Sequence, residues 1–79
     1  MKPSRADILR ERIAQLVEVI SGFEVTRSQY QCRLDANPSL RAELQRKIDL
    51  NDRTLGSLRI SLEKNHEELR EELRMPVGV

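Results

Sequence analysis

The most constraining feature of the sequence is a line of residues, nearly all apolar, that recurs at alternating spacings of three and four. Arg27 is the only charged member of this line, which comprises Ala6, Leu9, Ile13, Leu16, Ile20, Phe23, Arg27, Tyr30 and Leu34. These spacings return to one side of an α-helix, and their strict alternation is the heptad pattern of a coiled coil. The sequence therefore predicts a long helix with one apolar seam.

A second line of this kind follows the dipeptide Asn37-Pro38. Its members are Leu40, Leu44, Ile48, Asn51, Leu55, Leu58, Leu62, His66, Leu69 and Leu73. Two of its steps are four residues where a strict heptad needs three. We therefore expect His66 to belong to the seam and the supercoil to relax near Leu44 and near His66.

The helix ends are marked by capping residues. Ser4 followed by Asp7 resembles a capping box, Asn37 is a favourable N-cap, and Pro38 suits the first position of a helix. The predicted single domain, residues 1–79, has a helix at about 5–35, a turn at about 36–38, a helix at about 38–74 and a tail at 75–79.

The two lines match each other when the chain folds back at the turn. Residue numbers then add to a nearly constant total in the facing pairs, which include Leu34 with Leu40, Tyr30 with Leu44, Phe23 with Asn51, Ile20 with Leu55 and Leu16 with Leu58. This agreement predicts an all-α fold, an antiparallel two-helix hairpin that is coiled-coil-like.

Two polar residues in this register, Arg27 and Asn51, lie close together and form a candidate register-setting pair. A single buried polar residue can fix the register of a coiled coil at some cost in stability. Glu24 and Asp52 are within reach of the guanidinium. The alternative is that Arg27 lays its methylene groups along the seam and keeps its charge in water.

Length and charge limit what the hairpin can be. At 79 residues and a net charge of +1, it buries little surface alone and creates no strong field toward nucleic acid or an anionic membrane. No segment is apolar enough to span a bilayer, and the start has no signal-peptide core, so we expect a cytoplasmic protein. We also expect a four-helix bundle, formed as a homodimer or with a partner.

One flank of the hairpin is the predicted partner-binding face. Its middle carries no charge, and basic residues stand toward its ends: Arg12, Arg33, Lys47 and Lys64. The alternative is a polar, solvated flank. We call this surface the uncharged flank and define it by Ile8, Gln15, Val19, Gly22, Thr26, Leu50, Thr54 and Ser57.

The sequence contains no pattern that predicts catalysis, a cofactor, a metal site or a small-molecule substrate. His66-Glu67 begins like a zinc-protease helix, but Arg70 stands where the second histidine would be. The single Cys32 cannot form a disulfide within the chain.

These observations predict a non-enzymatic protein-protein interaction module, such as an adaptor, co-chaperone or regulatory subunit. In shape, it resembles the small hairpin co-chaperones of bacterial secretion systems. The alternative is a dimeric helical-hairpin regulator that binds RNA. It is disfavoured because the basic cluster Arg41, Arg46, Lys47 and Arg53 is interleaved with acidic residues.

Overall fold

The structure, a computed structural model, describes residues 2–74 and consists of two long helices joined by a tight turn. Helix α1 spans Arg5–Ala36, a 3-10 turn spans Pro38–Leu40, and helix α2 spans Arg41–Arg74. The described residues contain no strand. The predicted all-α fold is confirmed. The predicted tail, 75–79, lies outside the described residues.

Helix α1 begins with a capping box. The Ser4 hydroxyl accepts a hydrogen bond from the Asp7 backbone N–H at 3.1 Å, and the Ser4 N–H donates to Asp7 Oδ2 at 3.4 Å. Two backbone donors that have no partner inside the helix are thereby satisfied.

The turn differs from the prediction at Asn37. Its side chain caps no backbone N–H, and its Oδ1 instead accepts a hydrogen bond from the Ser39 hydroxyl. The Asn37 N–H donates to Arg33 O at 2.9 Å, and Leu40 N–H donates to Asn37 O at 3.1 Å. The predicted capping role of the Asn37 side chain is wrong because that side chain is engaged within the turn.

The seam between the helices contains buried residues from the open end of the hairpin to near the turn. The buried residues are Leu9 and Ile20 on α1 and Leu44, Ile48, Asn51 and Leu55 on α2. The Asn51 side-chain amide donates to the Phe23 carbonyl at 3.0 Å, which joins one of the predicted facing pairs. Near the chain ends, Arg5 Nη2 lies 3.2 Å from Glu68 Oε2. Contacts of this kind arise only when the two helices pack antiparallel.

The assignment of His66 to the seam is wrong. His66 is exposed, and Asn65 is half-buried in its place. The alternation of three and four continues from Leu62 through Asn65 to Leu69, so no irregular step occurs at His66. Asn65 is tolerated there because its amide donates to the Ser61 carbonyl at 2.7 Å. Near the helix ends, Leu40 and Leu73 are exposed at 36% and 59%.

Candidate docking surface

The uncharged flank contains an open groove between the two helices. The groove has a volume of about 500 Å³. Five of the eight residues predicted for this flank line it: Val19, Gly22, Thr26, Leu50 and Thr54. The large apolar side chains among them are available to a partner, since Val19 and Leu50 are 45% and 66% exposed.

A second groove continues the first toward the open end of the hairpin. It has a volume of about 360 Å³, includes Gln15 and shares Val19 with the first groove. From Arg12 in the second groove to Tyr30 in the first, the combined depression follows α1 for about 27 Å at 1.5 Å per residue. Of the remaining predicted residues, Ile8 is 39% exposed and Ser57 is exposed, and neither lines these two grooves.

Seam residues also line the first groove, which sequence analysis missed. Phe23, Tyr30 and Asn51 were assigned to the helix–helix contact, yet each reaches the groove. At one end, Lys47 Nζ lies 6.0 Å from the centroid of the Tyr30 ring. The sequence could have predicted this, because a seam between only two helices has no third helix to cover it and its residues stay partly open to solvent.

The threonines of the flank direct their hydroxyl protons into their own helices. Thr26 donates to the Gly22 carbonyl at 3.0 Å, and Thr54 donates to the Leu50 carbonyl at 3.1 Å. A partner that covers them therefore leaves neither hydroxyl proton without an acceptor. The middle of the flank thus combines apolar area with polar groups that are already satisfied.

The opposite side of the hairpin has a different chemistry. There Arg27 Nε lies 2.7 Å from Asp52 Oδ1, and Arg59 Nη2 lies 3.2 Å from Glu24 Oε1. Both pairs join α1 to α2 and line a groove of about 440 Å³ that also contains Gly56. These four charged side chains are paired within the chain, whereas the middle of the uncharged flank carries no charge.

The two members of the candidate register-setting pair do not bond to each other. Asn51 is buried, with 6% exposure, and bonds to Phe23, while the Arg27 side chain is 47% exposed and pairs with Asp52. Of the two acids expected near Arg27, Glu24 pairs with Arg59 instead. Each residue thus makes its own hydrogen bond between the helices, the buried one from Asn51 to the Phe23 carbonyl and the exposed one from Arg27 to Asp52. The role of either residue in setting the register remains a prediction.

Gly22 lies in the interior of α1, and no contact within the hairpin requires a glycine there. A Cβ atom built at this position meets nothing within 4 Å, and the same is true at Gly56 in α2. Glycine inside a helix costs about 1 kcal/mol relative to alanine. The packing within one chain therefore does not explain why a side chain is missing at Gly22.

The cysteine and the histidine do not line the two grooves of the uncharged flank. Cys32 and His66 are both exposed. Within residues 2–74, no group of three or more His, Cys, Asp or Glu side chains is placed to hold a metal ion. No described helix is long and apolar enough to cross a membrane.

Comparisons with protein-family models, with curated proteins and with solved structures found no significant match to this chain.

Proposed function

We propose that this chain is a non-enzymatic protein-protein interaction module that docks helices of another protein, or of a second copy of itself, on its uncharged flank. Adaptors, co-chaperones and regulatory subunits work in this way. The observation that carries the proposal is the continuous groove on this flank, in which Val19 and Leu50 are large, apolar and exposed.

The chemistry of the groove favours a helix as the docked element. An amphipathic helix places residues of one face at spacings of three and four, which suits a shallow groove between two other helices. Burying a valine or a leucine side chain contributes about 1.5–3 kcal/mol. Contact with Val19 and Leu50 would then supply the central part of the binding free energy.

The charges at the ends of the flank would orient the docked helices. Arg12 and Lys64 lie toward the open end of the hairpin, and Arg33 lies toward the turn. None of these three side chains forms an ion pair with another residue of the described range. Charges at the rim of an interface mainly influence orientation and association rate.

Site-specific photo-crosslinking in the cells that express the chain tests this proposal. A photoreactive amino acid replaces Val19 in one variant and Val17 in a matched control, since Val17 is 47% exposed on the same helix and lines neither groove of the flank. We expect a discrete protein adduct from position 19 and none from position 17. Equal adducts from both positions, or none from position 19, would contradict the proposal.

A further inference from the structure

We propose that the occupant of the uncharged flank is a second copy of this chain, packed face to face and antiparallel, so that Val19 of each copy lies against Gly22 of the other. This inference rests on the proposed function, because it names the partner for the same surface. The product is a four-helix bundle with two-fold symmetry.

The exposed area of the chain is large enough for an interface with a second copy. A compact monomer of 9.2 kDa exposes roughly 4,900 Å² by the scaling of surface with mass. This chain exposes 6513 Å². The excess of about 1,600 Å² is twice the roughly 800 Å² that each partner contributes to a standard interface. A single short helix in the groove would cover less than this, whereas a second hairpin matches the flank in length and width.

The uncharged flank of α1 is complementary to itself in one antiparallel register. When Val19 faces Gly22 of the second copy, Gln15 faces Thr26 of the second copy, because both pairs of residue numbers add to the same total. The valine thereby meets the one position in this part of α1 that lacks a side chain. This contact gives Gly22 the role that the isolated hairpin does not, because a glycine lets a facing helix approach closely.

The register of α1 also determines the register of α2. The hydrogen bond between Asn51 and Phe23 fixes the position of α2 along the hairpin axis relative to α1. Aligning the α1 helices of the two copies therefore aligns their α2 helices as well. Leu50 then faces Ser57 of the second copy. Val19 and Leu50 thus each meet a small residue, whereas Ile8, toward the end of the flank, faces Arg33 of the second copy.

Glu43, whose Oε1 lies 3.7 Å from Lys47 Nζ in its own chain, faces Lys64 of the second copy. An acid also meets a base, and two-fold symmetry makes that ion pair twice.

Sedimentation equilibrium of the reduced chain, over a hundredfold range of concentration, tests the dimer. We expect a reversible monomer–dimer equilibrium. Val19→Glu should weaken dimerisation at least thirtyfold, because it places two charges in the centre of the interface. Val17→Glu, the matched control, should leave the dissociation constant within about twofold, as expected for a surface position outside the interface.

A charge exchange tests the register. Glu43→Lys and Lys64→Glu each replace two attractive pairs between the copies by two repulsive ones, and each should weaken the dimer about tenfold. Glu43→Lys also removes the Glu43–Lys47 ion pair within each chain, which Lys64→Glu leaves intact. The double variant should return to within about threefold of the original constant. Residues 43 and 64 are about 32 Å apart along α2 at 1.5 Å per residue, so they cannot compensate within one chain.

Three results would each overturn the inference: a monomer at every concentration, a dimer that Val19→Glu leaves intact, or a double variant no better than the single ones. The crosslinking experiment separates these failures from failure of the proposed function. A monomeric chain that still forms a position-19 adduct with a different protein would refute the second copy and support the docking function. Absence of any adduct from position 19 would refute both.

Discussion

Arg27, which the sequence assigned to the seam, is exposed, with 47% of its side chain accessible, while its neighbour Thr26 is half-buried. Its Nε lies 2.7 Å from Asp52 Oδ1. Ion pairs this exposed contribute about 0.2–1 kcal/mol, which is less than a partly buried leucine contributes. We therefore expect Arg27→Leu to leave the free energy of unfolding unchanged or to raise it by up to about 1 kcal/mol. Chemical denaturation followed by circular dichroism measures this. Arg59→Leu, which removes a similar ion pair outside the seam, is the control and should give no gain. A second unfolding transition in Arg27→Leu alone would instead support a register-setting role for Arg27.

Asn51 differs from Arg27 because it is buried and bonded across the seam, with its amide 3.0 Å from the Phe23 carbonyl oxygen. Asn51→Asp keeps the shape but replaces the donor by a carboxylate that faces a carbonyl oxygen. We expect a loss of about 2–4 kcal/mol at neutral pH, because a buried charge is left without a partner. Asn65→Asp is the matched control, since Asn65 is only half-buried and bonds within its own helix. Equal losses of unfolding free energy in the two variants would show that the bond across the seam contributes no more to stability than a bond within one helix.

At the scale of a helix, the two interior glycines offer a comparison of backbone and packing effects. Neither Gly22 nor Gly56 has a neighbour within 4 Å of a built Cβ atom, so alanine fits at both positions within one hairpin. In a Val19→Glu background, which keeps the chain monomeric, each Gly→Ala substitution should stabilise its helix by up to about 1 kcal/mol. For a domain of this size, that corresponds to a rise in Tm of about 4–8 °C. A fall in Tm at either position would mean that its surroundings within the hairpin are tighter than the structure indicates.

Most of this helical architecture can be predicted from the sequence, and the predictions that were wrong have local causes. Spacing alone predicts two helices, and the facing pair Phe23–Asn51 predicts their antiparallel register, because apolar positions repeat with the period of the helix. The error at His66 arose because His66 and Asn65 are both polar, and hydropathy does not decide which of them faces the seam. Continuity from Leu62 decides it. Five of the eight residues assigned to the uncharged flank line its groove. The sequence did not predict the depth of this groove, which depends on how closely the two helices pack.

The whole molecule is a thin, elongated layer, and this shape permits a test of how two copies associate. The hairpin measures 64 × 20 × 14 Å and has a radius of gyration of 18.1 Å, whereas a compact chain of 79 residues has about 12 Å. Because the long dimension dominates this value, stacking two hairpins face to face at a helix spacing of about 10 Å should raise it only to about 19 Å. Small-angle X-ray scattering should therefore show forward scattering that doubles with dimerisation while the radius of gyration stays nearly constant.

End-to-end association would double the same forward scattering but raise the radius of gyration to roughly 37 Å, since each centre of mass would lie about half the hairpin length from the middle. Doubled scattering with that larger radius would rule out the uncharged flank as the contact between copies.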